Sequence, residues 1–301
     1  MKTVTLGDYK RRMLEVLVHI QLHLDEPLPL EQLARVACFS PYHFHRVFKG
    51  MVGEPVKEHV RRLRLERAAQ RLKLSEASVI DIALDAGYLS HEAFTRSFKS
   101  AFGMAPSQFR LARGVELARV PSGIHYCEPP SKRFRTLSRG GRMKVEIKTM
   151  KPMHVAFMRH IGPYDEVGKV WDQLLTVMGK DGYLGGNPMM LGICHDDPEV
   201  TPQAMIRYDA CLAVDEEFVP SGEIGVQTVA GGEYAVTTHA GAYNQLGKTY
   251  AEFLGQWLPR SGRELANTPC FEVYVTDPGS TPPEESLTDI YAPLREQETA
   301  R

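Results

Sequence analysis

SVIDIALDAGYLSHEAFTRSFKSAFGMAPSQF, residues 78–109, is the stretch that decides the fold. It predicts a short helix, a tight turn and a second helix. Ser78 followed by Asp81 forms a capping-box arrangement at the start of the first helix. Gly87 suits the left-handed conformation that ends a helix, and Ser90 is placed to cap the second one.

The second helix has two different faces. Phe94 and Phe98, four residues apart, share the side that we expect to be buried. The opposite side carries Glu92, Thr95, Arg96 and Lys99. A helix held by buried rings that exposes a row of hydrogen-bonding groups suits reading bases in the major groove of DNA. We interpret it as a recognition helix.

The same arrangement occurs earlier in the chain. A short helix is predicted over Leu30–Val36, and after a turn Pro41 takes the favoured first position of another helix. Ala34 recurs 49 residues later as Ala83, and Arg46 recurs 50 residues later as Arg96. The outward face of this first copy carries Tyr42, His45, Arg46 and Lys49. Two copies of a helix-turn-helix unit are therefore predicted.

A long helix is predicted between the two copies, over Pro55–Leu74. Twenty residues at 1.5 Å each span roughly 30 Å, close to the ~34 Å of one turn of B-DNA. Such a rod would set two recognition helices into successive major grooves. The hypothesis requires Arg46 and Arg96 to be accessible to solvent on one side of the molecule.

Residues 8–112 resemble the double helix-turn-helix domain of the AraC/XylS family of transcription regulators. The resemblance rests on the IALDAGYLSHEAFTRSFKSAFGMAPSQFR motif and on its shorter counterpart around Phe39–Lys49. It implies that the residues contacting DNA are Tyr42, His45, Arg46, His91, Glu92, Thr95 and Arg96. Lys49 and Lys99, on the same outward faces, complete the candidate DNA-binding set. The spacing of His43, His45 and His91 is not that of a metal site, and we predict no metal there.

Composition limits the class of protein. The chain has 301 residues, which favours two domains, and no apolar run approaches the ~20 residues of a membrane span. The start lacks the apolar region of a signal peptide, so we expect a cytoplasmic location. The five cysteines are scattered and never spaced as CxxC, which argues against zinc or disulfides. No phosphate-binding loop, nucleophile elbow or catalytic triad is visible, and we predict no cofactor.

Charge divides the chain into two halves. Residues 1–142 carry 24 Lys and Arg against 14 Asp and Glu, a net +10, while residues 143–301 carry 12 against 23, a net −11. This asymmetry favours a polyanion as the partner of the first half. Residues 113–142 show no periodicity and read as a basic linker. Its basic end (Lys132, Arg133, Arg135, Arg139 and Arg142) is expected to contact phosphates or the acidic domain, or to be a solvated tether.

Residues 143–301 contain a second internal duplication. His160, Tyr164 and Trp171 recur 79 residues later as His239, Tyr243 and Tyr250, and the Leu191–Ile193 segment aligns 80 residues later with Phe271–Val273. Each half predicts one strand, a helix and two further strands. Pairing the halves would bury their apolar faces and leave a groove for a ligand.

The two halves differ at one position that bears on chemistry. Alternation along Cys270–Val275 places Glu272 and Tyr274 on the opposite face from Phe271 and Val273, and Gly192 stands opposite Glu272. A carboxylate among aromatic rings suits an aromatic, cationic small molecule. The pattern alone also allows Glu272 to be an exposed strand residue and Tyr164 and Trp171 to be core residues. The candidate ligand-binding residues are Glu272, Tyr164, Trp171, Tyr243, Tyr250, Tyr274 and Tyr291.

Residues 143–296 resemble the GyrI-like small-molecule-binding domain, on the MKVEIKTMKPMHVAFMRHIGPY, FEVY and TDIY segments. The resemblance implies that Glu272 lies in a central pocket with aromatic residues around it. It leaves open an enzyme alternative, in which the domain hydrolyses or sequesters a reactive small molecule and Glu272 acts with Tyr164 or Tyr243 in acid–base catalysis.

The sequence thus predicts a multi-domain protein. An all-α N-terminal domain (1–112) holds two helix-turn-helix motifs joined by a long helix, a linker follows (113–142), and an α+β domain (143–301) holds two pseudo-repeated strand-helix-strand-strand units. The function expected is a non-enzymatic, ligand-responsive transcription regulator. Candidate partners are double-stranded DNA, a small-molecule effector, RNA polymerase and a second copy of the chain, but no membrane.

Overall fold

The computed structural model describes residues 5–112, 119–137, 143–180, 182–185, 188–277 and 279–296. These residues form two compact units. Of the described residues, the helical unit comprises Gly7–Phe39 and those from Phe48 to Leu137. The sheet unit comprises Thr5, Leu6, Ser40–Val47 and the described residues from Met143 onward. The division differs from the predicted domains because eight residues from the first helix-turn-helix copy belong to the sheet unit.

Seven helices precede the first strand in the described part of the chain. They are α1 (Leu6–Leu22), α2 (Leu30–Val36), α3 (Pro41–Val52), α4 (Val56–Leu74), α5 (Val79–Asp85), α6 (His91–Phe102) and α7 (Pro106–Leu111). The long helix expected between the two copies is α4, which Pro55 precedes in an extended conformation. None of the helices in the described part of the chain is both long and apolar enough to cross a membrane.

The capping signals read from residues 78–109 are confirmed. The Ser78 hydroxyl accepts a hydrogen bond from the Asp81 amide, and the Ser90 hydroxyl accepts one from the Ala93 amide. Gly87 has a φ of +82° and ends α5 in the left-handed conformation. Cys38, which stands 49 residues earlier, takes the same conformation after α2 with a φ of +53°.

Aromatic side chains form the core under α6. Phe94 and Phe98 are fully buried against α4, α5 and α7, in a cluster that includes Leu65, Leu72 and Phe109. The rings of Phe98 and Phe109 meet edge to face, with centroids 5.2 Å apart. This packing fixes the orientation of α6 and turns its polar side outward.

Residues 119–137 contain no helix or strand, as predicted, but they are not a solvated tether. Ile124 is completely buried. The buried carboxylate of Glu66 in α4 accepts hydrogen bonds from the backbone amide of Tyr126 at 2.7 Å and from His125 Nδ1 at 3.0 Å. The side chains of Lys132, Arg133 and Arg135 remain exposed, whereas Arg139 and Arg142 lie outside the described residues.

The sheet unit is built on one antiparallel sheet of eight strands. The strands are β1 (Glu146–Met150), β2 (Met153–Ile161), β3 (Met190–Cys194), β4 (Arg207–Ala213), β5 (Gly225–Val229), β6 (Gly232–Ala240), β7 (Phe271–Tyr274) and β8 (Leu287–Pro293). Their order is β1-β6-β8-β7-β3-β4-β2-β5. The first strand of each half therefore pairs with the other half: β1 with β6, and β5 with β2.

Two helical segments pack with this sheet. The first is α8 (Val167–Lys180), whose Val170, Leu174 and Met178 enter a cluster with Tyr208 and Leu212. The second runs from α9 (Leu246–Glu252) through a π-helical turn (Phe253–Trp257) into α10 (Leu258–Ser261). A separate apolar cluster contains Phe271, Tyr234 and Tyr291, so the two faces of the sheet have different neighbours.

Candidate functional site

The exposed face of α6 is the first candidate site. Phe94 and Phe98 point into the core, while His91, Glu92, Arg96 and Lys99 are exposed and Thr95 is half-buried. A backbone hydrogen bond at the start of the helix, supported by Ser90, lowers the pKa of Glu92, so its side chain is ionised at neutral pH. This face presents two cations, a carboxylate and an imidazole, as the prediction of a recognition helix requires.

The corresponding face of α3 is not exposed. His45 and Arg46 are buried, with Arg46 only 8% accessible, and Tyr42 and Lys49 are half-buried. The prediction that Arg46 is accessible to solvent is therefore wrong for this structure. The hypothesis that both Arg46 and Arg96 face DNA at the same time therefore fails, because Arg46 is buried although Arg96 is exposed.

Arg46 and His45 are held by residues of the sheet unit, to which Ser40–Val47 belong. The guanidinium carbon of Arg46 lies 3.8 Å from the centre of the Tyr250 ring, and its Nε lies 3.8 Å from Asp197 Oδ2. His45 Nδ1 donates a hydrogen bond of 2.9 Å to the same Asp197 oxygen. A desolvated cation over an aromatic ring is stabilised by about 2 kcal/mol, so this contact is a substantial one.

Asp197 is ionised in this arrangement. Burial raises the pKa of its carboxyl, but the hydrogen bond from His45 and the charge of Arg46 outweigh burial and lower the pKa to about 2. Glu199 brings a second carboxylate within 4.8 Å of the His45 and Asp197 ligand atoms. The positive charge of Arg46 beside His45, Asp197 and Glu199 disfavours a divalent cation there. The hydrogen bond between His45 and Asp197 accounts for how close these two side chains lie.

His43 makes a further contact from α3. Its Nε2 donates a hydrogen bond of 2.9 Å to the carbonyl of Thr268. Complete burial lowers the pKa of His43 to about 3, so the ring is neutral at physiological pH. Three side chains of α3 within four residues are thus engaged inside the sheet unit.

Glu272 is the buried acid that the sequence predicted. It is 6% exposed, and its strand partner across the β3–β7 pairing is Gly192. Tyr250 donates a hydrogen bond of 3.0 Å to Glu272 Oε1, and the Cys194 thiol lies 3.4 Å from the same oxygen. Burial raises the pKa of Glu272, against the opposing effects of Tyr250 and of the nearby Arg46 charge.

Aromatic side chains continue on the Glu272 face. Tyr274 lies two residues along β7, and its hydroxyl is 2.6 Å from that of Tyr208. Trp171 Nε1 donates to the Tyr208 hydroxyl at 3.0 Å. The ring of Tyr164 meets Tyr208 edge-on at 5.8 Å, and that of Tyr243 meets Tyr274 at the same distance. Tyr164, Trp171, Tyr243, Tyr250 and Tyr274 therefore share one aromatic network on the Glu272 side of the sheet.

Tyr291 is a wrong prediction for this site. It pairs directly with Phe271 across β7 and β8, and paired residues share a face of the sheet. The two rings stack at 4.7 Å within the apolar cluster on the other side. The sequence pattern could not place Tyr291, because it does not fix the register of β8 against β7.

Sequence reasoning missed Asp197, Tyr208 and Arg46 as members of this site. Tyr208 could have been found, because Gly192 leaves room for a large side chain from the adjacent strand: a Cβ at Gly192 would collide with the Tyr208 hydroxyl. Asp197 stands in the loop after β3, and no sequence signal connected it with α3.

An open groove of about 530 Å³ lies elsewhere in the sheet unit. It is lined by residues of β1, β6, β8 and α9, including Lys144, Lys148, Lys248, Glu252 and Asp289. Glu272 is not among its lining residues. Arg46 lies near enough to Glu272 for its charge to lower the pKa of that carboxyl.

Comparisons with known proteins agree with this architecture. Residues 143–295 match the family described as the GyrI-like small molecule binding domain, which is half of the chain. The chain belongs to this family. Residues 33–112 match a helix-turn-helix domain, of the AraC type. The protein thus combines an AraC-type helix-turn-helix region with a GyrI-like domain.

Individual relatives are regulators or DNA-binding proteins by name. The right origin-binding protein of Escherichia coli (strain K12) is 27% identical over 254 residues, 80% of each chain. The transcriptional activator AarP of Providencia stuartii is 38% identical over 98 residues, 33% of this chain and 73% of its own. A solved structure of an EcmrR–DNA complex is similar to 51% of this chain and 58% of its own, with 20% identity and a TM-score of 0.45.

Proposed function

We propose that this protein is a ligand-responsive transcription regulator. Its helix-turn-helix copies would read DNA, and the site around Glu272 would bind a small aromatic cation. The observation that carries the first part is the exposed row on α6, held in place by buried phenylalanines. The regulators among the relatives support the same reading.

The chemistry of α6 fits base recognition. Arg96 can donate two hydrogen bonds to guanine O6 and N7, and ionised Glu92 can accept one from cytosine N4. The buried rings of Phe94 and Phe98 fix the orientation of α6, so the helix itself need not be ordered when DNA binds. Lys99 and the exposed cations of 119–137 can contact phosphates, which positions the protein but does not select sequence.

DNA binding by α6 is tested with Arg96→Ala on a duplex from the gene's own upstream region. We expect a 10- to 100-fold loss of affinity, because a bidentate arginine–guanine pair contributes about 1–3 kcal/mol of discrimination. Arg260→Ala is the matched control, since Arg260 is an exposed arginine of the sheet unit, and it should change affinity less than twofold. Unaltered binding by the double variant Arg46→Ala/Arg96→Ala would refute both reading helices.

The ligand class follows from the surroundings of Glu272. Burial raises the pKa of this carboxyl, so its ionised form is stabilised most by a nearby cation. The aromatic rings of Tyr250, Tyr274 and Trp171 offer π faces and edges to a flat molecule. Arg46, a planar cation, already lies over one of these rings.

Cation binding is tested by thermal stabilisation with a panel of cationic dyes and their neutral analogues. A ligand that binds the native state must raise Tm. We expect stabilisation by cations that Glu272→Gln removes and that the exposed control Glu217→Gln retains. Equal stabilisation of wild type and Glu272→Gln would rule out the carboxylate as the binding group.

We do not propose catalysis, since the relatives named above are regulators or DNA-binding proteins. Turnover of an alkylating compound that Glu272→Gln abolishes would support the hydrolytic alternative instead. Contacts with RNA polymerase or with a second copy of the chain stay predictions.

A further inference from the structure

We propose that Arg46 is an internal occupant of the effector site, so that a planar cationic effector competes with it and thereby frees the reading face of α3. This inference rests on the proposed function and adds its regulation. Arg46 stands at a position predicted to read a base. In this structure the same side chain lies between Tyr250 and Asp197 of the sheet unit.

The two roles exclude each other. A side chain that reads a base edge must reach out from the helix into the major groove. In this structure Arg46 is stacked on Tyr250, and His45 is bonded to Asp197. His43 is bonded to the Thr268 carbonyl on the same stretch of helix. The described conformation is therefore one in which α3 cannot read DNA, while α6 remains exposed.

Arg46 has the chemistry expected of the effector. Its guanidinium is planar, permanently charged and delocalised, and it stacks on a tyrosine whose hydroxyl donates to Glu272. A flat amidinium or guanidinium ligand could take the same place over the Tyr250 ring, nearer to the Glu272 carboxylate. The site therefore favours ligands whose planar cationic group resembles the guanidinium of Arg46.

Asp197 is the residue that ties α3 to this site, because it binds both His45 and Arg46. Its equivalent eighty residues later is Asp277. The two make the same turn: Asp197 Oδ1 accepts the amide of Glu199 at 3.1 Å, and Asp277 Oδ1 accepts that of Gly279 at 2.9 Å. Asp277, however, is exposed to solvent. The second half therefore supplies a matched control for the first.

Competition predicts positive coupling between effector and DNA. If an effector binds only when Arg46 has left, its apparent affinity is reduced by the fraction of molecules in which the site is vacant. DNA that binds the released α3 raises that fraction, and by linkage the effector raises DNA affinity by the same factor. Removing Arg46 should then strengthen effector binding, the opposite of what removing a ligand-binding residue does.

The first experiment measures binding of benzamidine, a planar aromatic cation, to the full chain by calorimetry, with neutral benzamide as control ligand. We expect Arg46→Ala and Arg46→Gln to bind benzamidine at least tenfold more tightly than wild type and the Arg260→Ala control. Benzamide should not discriminate among them. Equal or weaker benzamidine binding by both Arg46 variants overturns the proposal, as does the absence of binding by any of them.

The second experiment releases α3 by Asp197→Asn, with Asp277→Asn as control. Hydrogen–deuterium exchange of the amides in residues 41–47 should be at least tenfold faster in Asp197→Asn than in wild type or Asp277→Asn. Saturating benzamidine should accelerate the same amides in wild type. If exchange is unchanged both in Asp197→Asn and in wild type with benzamidine, the contact with Asp197 does not hold α3 and the proposal is wrong.

The DNA arm separates this inference from the proposed function. On the upstream duplex, Asp197→Asn should bind several-fold more tightly than wild type without any ligand, whereas Asp277→Asn should not. If Arg96→Ala has no effect on DNA binding, the proposed function fails, yet the benzamidine and exchange results still decide whether Arg46 occupies the site. If Arg96→Ala weakens binding and Asp197→Asn does not strengthen it, the regulation is refuted and the reading helix stands.

Discussion

A single missing side chain at Gly192 makes room for the aromatic network. The backbone of β3 passes so close to the Tyr208 hydroxyl that any Cβ at residue 192 would overlap it. That hydroxyl accepts from Trp171 and meets Tyr274, so it joins α8 to β7. The small residue opposite Glu272 is therefore required by a tyrosine from the next strand.

Gly192→Ala should destabilise the protein by about 1–3 kcal/mol, the usual cost of inserting a methyl group into a packed site. It should also weaken cation binding, because Tyr208 and Tyr274 must move. Gly168→Ala is the matched control in α8, where an added Cβ meets nothing within 4 Å. There the gain in helix propensity should raise stability by up to about 1 kcal/mol. Urea denaturation of both variants measures the contrast; a neutral Gly192→Ala would mean that Tyr208 is not fixed as described.

Residues with a strong local signal could be predicted from the sequence, and residues whose role depends on register could not. Alternation along β7 and the contrast with Gly192 singled out Glu272, but its place in a buried pocket was implied by the resemblance to the GyrI-like domain. Tyr291 was misplaced because alternation fixes faces within one strand but not between strands whose pairing is unknown. Its pairing with Phe271, not its residue type, puts it on the other face.

At the scale of elements, the turns that follow α2 and α5 are closed by different residues. Both turns contain a left-handed residue, which is glycine at position 87 but cysteine at position 38. A side chain in this conformation costs about 1–2 kcal/mol relative to glycine. The turn after α2 therefore carries a strain that the turn after α5 lacks.

Cys38→Gly should stabilise the protein by about 0.5–1 kcal/mol, since glycine's larger entropy loss on folding offsets part of the relieved strain. Gly87→Ala should destabilise it by a similar amount or more, because the new Cβ would also lie 3.1 Å from Arg64. The shift in Tm of the two variants should have opposite signs. Destabilisation by Cys38→Gly would show that the thiol has a packing role that outweighs the backbone strain.

The sequence predicted where α3 and α6 begin equally well but not their different environments. Both helices have buried phenylalanines on one side and polar groups on the other, which local periodicity reads as one solvent-exposed face. Only the contact of Ser40–Val47 with residues of the sheet unit distinguishes them, and it depends on residues such as Asp197 that lie about 150 positions away. Likewise no local sequence pattern predicts that β1 pairs with β6 and β5 with β2.

For the whole molecule, low pH should lower the free energy of unfolding by protonating carboxylates whose ionised forms the fold stabilises. At Glu54, burial raises the pKa, but hydrogen bonds from His59 and Arg62 outweigh it and lower the pKa to about 2. Asp197 reaches about 2 for the reasons given above. A carboxyl with a lowered folded pKa contributes stability that is fully present above its unfolded pKa and is lost as pH falls toward the folded value. Glu272, with its raised pKa, acts in the opposite direction, since its ionisation above the ordinary range costs stability.

The free energy of unfolding should therefore fall steeply between pH 4.5 and about pH 2, by on the order of 2 kcal/mol for each of Glu54 and Asp197. Glu54→Gln and Asp197→Asn should each be less stable than wild type at pH 7 and show a shallower decline over this window, because the lost group no longer titrates. The exposed control Glu217→Gln should keep the wild-type slope. Urea titrations at pH 7, 4.5, 3.5 and 2.5 check this, and parallel stability curves for wild type and Asp197→Asn would contradict the assigned ion pair.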